Sequence, residues 1–418
     1  MGNFIKNNKQ KKRMSYRLPV IHLLIYAVSI SLSLVRADQP AYEITIEETV
    51  DISDMAGGMM NLLRHPDGTL WLNIQSGDLA KTLVHSSDEG KTWKPVPIHW
   101  SGVQPDQFPN GFGISRDGRL WILHQQKPGD QGHAYKGRKL YVSVSADHGG
   151  SWQTTEIDFH SLAPGGRADP YKTANTAHAY NNFIEDANGT LMFSTSLRYA
   201  DWADWKQEDQ GRPGIRDVMV RSHDGGQTWD DATIVHQHAT ETDHAVNPAN
   251  PMHLLSATRK QRMILRGEQR AQAEKEALIE GTPHIGTPYV WKGGLLLESM
   301  DGGRTFQEIP HSYTGFYGHR ANILWTKSNV VIFSHCIGKS VDTDLPSPSH
   351  VARISLDGGK TWLAKEGGVT SRVDQSKAFL FCRGDQTVTI DVSGGRYFTA
   401  IRNHPVRGFF WRLTSREN

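Results

Sequence analysis

Three stretches of the chain repeat one pattern: an apolar run, a short polar break and a second apolar run. They are residues 59–72 around Asp67-Gly68, 113–123 around Asp117-Gly118, and 182–193 around Asn188-Gly189. Asp-Gly and Asn-Gly suit two-residue hairpin turns, because the central positions need a positive φ that these residues adopt at little cost. Weaker versions centre near Pro251, Asn329 and Asp385. Six hairpins predict six four-stranded antiparallel sheets, with seven as the alternative. Residues 42–50 and 396–413 both read as strands and could pair to close a ring. One segment departs from the pattern. Within 261–280, Arg266 to Glu280 is rich in Ala, Glu, Gln and Arg, which predicts a helical insertion in the fourth sheet, the alternative being a surface loop.

Between the hairpins an octapeptide recurs. Its first copy is Ser86-Ser87-Asp88-Glu89-Gly90-Lys91-Thr92-Trp93, and others occupy 145–152, 222–229, 299–306 and 355–362. The aspartates Asp88, Asp147, Asp224, Asp301 and Asp357 lie 59, 77, 77 and 56 residues apart. Each copy puts Asp and Gly in a turn, where the carboxylate can take nearby backbone N–H groups. The closing aromatic, Trp in four copies and Phe306 in the other, can pack between sheets. Five copies in register are the most specific signal in the chain.

These octapeptides are Asp-boxes, and from about residue 42 to the C-terminus the chain resembles the sialidase-like (BNR repeat) superfamily. The resemblance implies an all-β, six-bladed β-propeller, read here as a single domain over 42–418. It also implies that each blade's first strand runs from the active-site face to the far face and the second returns. The Asp-box turns then lie on the far face, and their aspartates are structural.

Composition adds limits. Lys and Arg total 46 against 44 Asp and Glu, a balance without the basic excess of a nucleic-acid binder. The N-terminus carries Lys6, Lys9, Lys11, Lys12, Arg13 and Arg17 ahead of an apolar run from Leu18 to Val35, with a cleavage point after Ala37. We read 1–37 as a signal peptide, with Met14 as an alternative start and an uncleaved anchor as the alternative reading. Export, to a secreted or periplasmic location, is the expectation, with no other membrane contact. Cys336 and Cys382 could form a disulfide or remain two thiols.

The ends of strands facing the expected active-site side are biased. First-strand starts offer Asn110, His178 with Tyr180, Asp243 with His244, His319 with Arg320, and Gln375; second-strand ends offer Gln75 with Asp78, His124, Arg198, Arg259 and His335. Cations converging on one mouth would focus field on an anionic ligand, and Arg can clamp a carboxylate through two hydrogen bonds. An acidic oligosaccharide or polysaccharide is the expected substrate. No metal or other cofactor is assigned, since no His-x-x-x-His pair is present.

The resemblance implies three arginines, a Tyr nucleophile with a Glu, and an Asp acid/base. Arg259 fits the second arginine, Asp243 stands in the place of the Glu, and Asp78 is an acceptable counterpart of the acid/base. Gly58 stands where the first arginine belongs, residues 347–350 where the third belongs, and Asp374-Gln375-Ser376 where the Tyr should open blade six. The chain is therefore read as a divergent exo-sialidase-like glycoside hydrolase. Asp78 and Asp243 would act as acid and base, Arg198, Arg259 and Arg320 as carboxylate clamps, and His124, His178, His244 and His319 as further contacts. One alternative is a lyase cleaving uronate-containing chains by β-elimination with Tyr180 as base. Another is a non-catalytic glycan-binding propeller, with Trp202 and Trp205 as stacking platforms.

Overall fold

In the computed structural model the described residues form six antiparallel sheets of four or five strands and one small two-stranded sheet. The residues described are 41–54, 60–74, 82–100, 111–126, 139–158, 176–178, 182–198, 215–263, 271, 289–315, 320–337, 349–383, 386–402 and 405–416. The first sheet is β2 (Leu62–Arg64), β3 (Leu70–Ile74), β4 (Thr82–Ser86) and β5 (Lys94–Pro97). The second is β6 (Gly111–Ile114), β7 (Leu120–Gln126), β8 (Lys139–Ser145) and β9 (Gln153–Ile157). In the third, β10 (Thr176–His178) and β11 (Phe183–Glu185) both pair with β12 (Leu191–Arg198), followed by β13 (Ile215–Ser222) and β14 (Asp231–His236). The fourth contains β15 (Ala239–Asn247), β16 (Asn250–Met263), β17 (Tyr289–Ser299) and β18 (Gln307–Glu308), with β19 (Thr314–Gly315) added on β17.

The fifth sheet is β20 (Asn322–Trp325), β21 (Val331–Ile337), β22 (Ser349–Ser355) and β25 (Phe379–Arg383). A small hairpin, β23 (Trp362–Leu363) with β24 (Val369–Thr370), and the 3-10 turn Val373–Gln375 precede β25. The sixth is β26 (Thr387–Val392), β27 (Arg396–Ile401) and β28 (Val406–Arg416), completed by β1 (Ala41–Ser53) from the other end of the chain. The first strands touch in the cyclic order β2, β6, β11, β15, β20, β26 and back to β2. The fold is a six-bladed β-propeller, not a seven-bladed one. β1 lies antiparallel on β28 from Ala41 opposite Arg416 to Ser53 opposite Val406, so both chain ends build one blade and close the ring.

Two expectations need correction. The sixth hairpin turns at Gly394-Gly395, both with positive φ, and not near Asp385. Consequently Gln375 belongs to a turn of blade five, and the residue that opens blade six is Gln386. The helical insertion placed over 261–280 also starts wrongly: residues 261–263 continue β16, and most of the remainder lies outside the described residues. Ala271, the one described residue of 264–280, is helical, and no complete α-helix is contained in the described residues. Residues 1–40 lie outside them, and none of the described helices is long and apolar enough to cross a membrane. Cys336 and Cys382 form no disulfide. They stand on β21 and β25 with β22 between them, each across from His350, too far apart for an S–S bond.

The five octapeptides form one turn, repeated between third and fourth strands. In the first, the Ser86 hydroxyl donates to Asp88 Oδ1 at 2.7 Å and accepts the Gly90 N–H at 2.8 Å, while Thr92 donates its N–H and hydroxyl to the Asp88 carboxylate. Bonds from Ser151 hold Asp147 at about 2, and bonds from Thr228 hold Asp224 likewise. The aromatic that ends each turn enters a seam between blades. Trp152 packs with Trp71 and Phe112, Trp229 with Trp121 and Phe183, and Trp362 with Trp325 and Phe333. The middle strands are buried on both faces and largely apolar, as in Leu70–Ile74, where Asn73 alone is polar.

Gly226 shows how tight these seams are. It has φ +92°, and a Cβ there would sit 2.3 Å from Cη2 of buried Trp121. Gly226→Ala combines left-handed strain with overpacking, so it should cost about 2–4 kcal/mol. A fall in thermal midpoint of several degrees is expected, and an unchanged midpoint would mean that the seam is looser than its geometry.

Candidate functional site at the mouth of the ring

The octapeptide turns and the first-hairpin turns share one face: Gly302 N–H donates to Met252 O, and Gly358 N–H to Asn329 O. The opposite face, where first strands begin and second strands end, is the mouth. On the ring axis the first strands enclose a cavity of about 260 Å³, lined by Asn61, Asp243 and Asn322 among others. A polar network crosses it. Arg320 Nη2 donates to Asn61 Oδ1 at 2.6 Å and to Asp243 Oδ1 at 2.8 Å. The other Asp243 oxygen accepts Asn322 Nδ2 at 3.2 Å and the Ile323 N–H at 3.0 Å, and Gln386 Nε2 donates to Asn322 Oδ1 at 3.1 Å. Five side chains from four blades, with the Ile323 N–H, are thereby tied together.

β15 begins at Ala239, so Asp243 is in mid-strand and Glu241 lies nearer the mouth. Glu241 has φ +56° inside an irregularity where the pairing slips between Thr240 and Asp243. The slip turns its carboxylate onto Arg259, Oε1 to Nη2 at 2.6 Å, while Arg259 Nε donates to Thr240 Oγ1. Both side chains are largely buried, and Glu241 Oε2 has no hydrogen-bond partner among the described residues. A buried carboxylate oxygen left unpaired is costly, and a non-Gly residue at positive φ marks local strain.

Asp217 joins blade three to this strand. Fully buried on β13, it accepts Ser196 Oγ at 3.1 Å and the Thr242 hydroxyl. Burial, reinforced by the charge of Glu241, raises it to about 7 against the opposing hydrogen bonds. His244 stands next along β15, bridging Ser256 Oγ at 2.7 Å and Ser194 Oγ at 2.8 Å, and burial lowers it to about 3. His124 donates to or accepts from Ser143 Oγ at 2.8 Å and is likewise lowered by burial to about 3. Both imidazoles are neutral at pH 7 and sit inside the wall, so neither presents a cation to the mouth.

The residues expected at the site thus divide into groups. Asp243 and Arg320 are together on the axis, with Arg259 alongside on β16. Backbone pairing puts Thr176 across from Arg198 and His178 across from Ser196, the residue whose hydroxyl meets Asp217. Blades three and four therefore bring these positions to one seam. Asp78, Tyr180 and His319 lie outside the described residues, as do the side chains of His178 and Arg198. Glu241 and Asp217 were missed. Nothing local in the sequence announces the slip that turns Glu241 inward, whereas an Asp in the run Val218-Met219-Val220 preceded by Ile215 was a usable sign.

Comparison with known proteins supports the same fold. No protein-family model matches the chain. Among solved structures, a protein of unknown function from Dyadobacter fermentans superposes with TM-score 0.56 at 15% identity, covering 89% of this chain and 99% of that one. A Hadza microbial sialidase gives 0.55 at 16% identity over 86% of this chain and 66% of its own. Trypanosoma rangeli sialidase in complex with sialic acid gives 0.50 at 13% identity, over 89% and 59%. The chain has the fold of the sialidase-like propellers. In sequence, a xyloglucanase from a Paenibacillus species is 29% identical over 163 residues, which are 38% of this chain and 12% of the xyloglucanase.

Proposed function

We propose that the chain is a glycoside hydrolase that cleaves acidic glycans at the mouth of the propeller. The observation that carries this reading is the Glu241–Arg259 pair, held at 2.6 Å beside the Arg320–Asp243 pair. Together the two pairs place two carboxylates and two guanidinium groups on adjoining blades four and five. Arg259, with Arg198 and Arg320, would receive a sugar carboxylate. Glu241 and Asp243 would supply negative charge against the oxocarbenium-like transition state, with Asp78 protonating the leaving oxygen. Export of the mature chain belongs to the same proposal.

The sequence match to a xyloglucanase favours a second reading, a neutral glycan in the same cleft. One panel separates these readings: sialosides, uronic-acid polysaccharides and xyloglucan, followed by released sialic acid, new reducing ends and the ultraviolet absorbance of unsaturated uronates. Hydrolysis of an acidic substrate is expected. Reducing ends from xyloglucan alone would replace the acidic reading with the neutral one. New absorbance would establish elimination with Tyr180 as base, and no product from any substrate would leave a glycan-binding propeller.

A further inference from the structure

On the far face, away from the mouth, blades one and two bring two histidines and an aspartate together. His65 and Asp67 come from the first hairpin turn of blade one, and His148 from the octapeptide turn of blade two. Their ligand atoms all lie within 4.8 Å of one another. His65 is buried, and its placement is enforced from the neighbouring blade: Nε2 meets the Gly118 carbonyl at 2.9 Å, and a Cβ on Gly118 would come within 2.9 Å of that nitrogen. His148 has φ +55°, and its ring stands 4.7 Å from that of His65. His85 closes the side of the group, stacked on Trp71 at 5.1 Å.

The decisive feature is what Nδ1 of His65 faces. Because Nε2 meets a carbonyl, Nε2 carries the hydrogen, and in the neutral ring Nδ1 presents its lone pair. That lone pair lies 2.8 Å from Asp67 Oδ1, itself an acceptor already receiving the Thr69 N–H and hydroxyl. The Asp67 N–H reaches Nδ1 only at 3.2 Å. Asp67 Oδ2 in turn stands 4.0 Å from His148 Nδ1. Three electron-pair donors therefore converge with little positive charge among them. A metal-bound histidine characteristically gives its other N–H to a backbone carbonyl, as His65 does.

We propose that His65 Nδ1, the Asp67 carboxylate and His148 Nδ1 bind one divalent transition-metal ion, of which Zn²⁺ is the type, and that the ion clasps blade one to blade two. Two imidazoles and one carboxylate suit a borderline ion, whereas Mg²⁺ and Ca²⁺ take oxygen ligands. Bonds of about 2.0–2.2 Å need the donors somewhat closer than they stand. The side chain of His148 is 55% exposed and can swing inward to close the gap. Water completes the coordination on the exposed side. The site is independent of the proposed activity.

The test uses untagged protein stripped with chelator and dialysed. Titration calorimetry should show one equivalent of Zn²⁺ bound per chain, and Co²⁺ should give visible bands of a nitrogen-ligated centre. Zn²⁺ should also raise the thermal midpoint. Asp67→Asn and His148→Asn keep their turns, because Asn accepts the Thr69 N–H and tolerates positive φ. Each should weaken Zn²⁺ binding at least tenfold, and the stripped variants should melt with the stripped parent. No uptake by the parent, or no Co²⁺ bands, would overturn the proposal and mean that a proton alone sits between His65 and Asp67. Equal uptake by parent and both variants would place the metal elsewhere and overturn it as well.

Discussion

Lowering the pH from about 7 to about 4 should unfold the ring, because buried imidazoles must take up protons that the folded chain excludes. Burial lowers His124 and His244 to about 3 and His335 well below its ordinary value. For a base depressed in the folded state, the stabilisation is complete above the unfolded value of 6.5 and is lost as pH falls toward the folded one. Asp217 acts in the opposite sense. Raised to about 7, it stabilises fully below 3.8, and that contribution fades as pH rises toward 7. Near pH 5 the unfolded chain therefore binds three protons on these histidines where the folded chain binds one on Asp217.

The net uptake of two protons corresponds to a loss of about 2.7 kcal/mol for each pH unit below about 6. Total stabilities of about 5–15 kcal/mol are exhausted within a few such units. Denaturant midpoints measured from pH 8 to pH 4 would show this slope, and Asp217→Asn should steepen it toward three protons while stabilising the protein above pH 7. A midpoint that stays level from pH 7 to pH 5 would sink the account.

Much of the architecture was legible because it is written in local chemistry. Asp67-Gly68 and Asp117-Gly118 make turns whatever surrounds them, and each octapeptide satisfies its own aspartate. Closure by β1 and β28 was legible from two strand-like ends with no other partner. Expectation and fold part where two polar Gly-containing stretches compete for one turn. Arg383 to Gln386 resembles a hairpin turn as well as Ser393-Gly394-Gly395 does, yet only the second lies between paired strands. The site was less legible than the fold for two reasons. The slip at Glu241 depends on how β15 and β16 fit together, which no window of sequence contains. The group of His65, Asp67 and His148 depends on contact between blades, so spacing along the chain hides it. Arg320 illustrates a middle case: its place at the opening of blade five was readable, whereas its engagement by Asn61 from blade one was not.

The position of Glu241 leads to the second large effect. Its conformation is one that non-Gly residues adopt reluctantly, and such strain persists where surrounding structure enforces it. What holds it is Arg259 on one carboxylate oxygen; the other oxygen is buried with no partner among the described residues. A residue kept only for stability would be expected to use both oxygens, since an unpaired buried acceptor works against folding. On the proposed substrate, Glu241→Gln should therefore lower kcat by about 10²–10⁴-fold. The thermal midpoint should move little, because the amide oxygen can still accept from Arg259. Arg259→Lys should instead raise KM at least about tenfold, since a single ammonium cannot reproduce a two-pronged grip on a carboxylate. The split between kcat for one variant and KM for the other is the test. If both variants lost activity only in proportion to lost folded protein, Glu241 and Arg259 would be a buried pair and nothing more, and the bond-breaking carboxylate would have to be sought elsewhere on the mouth.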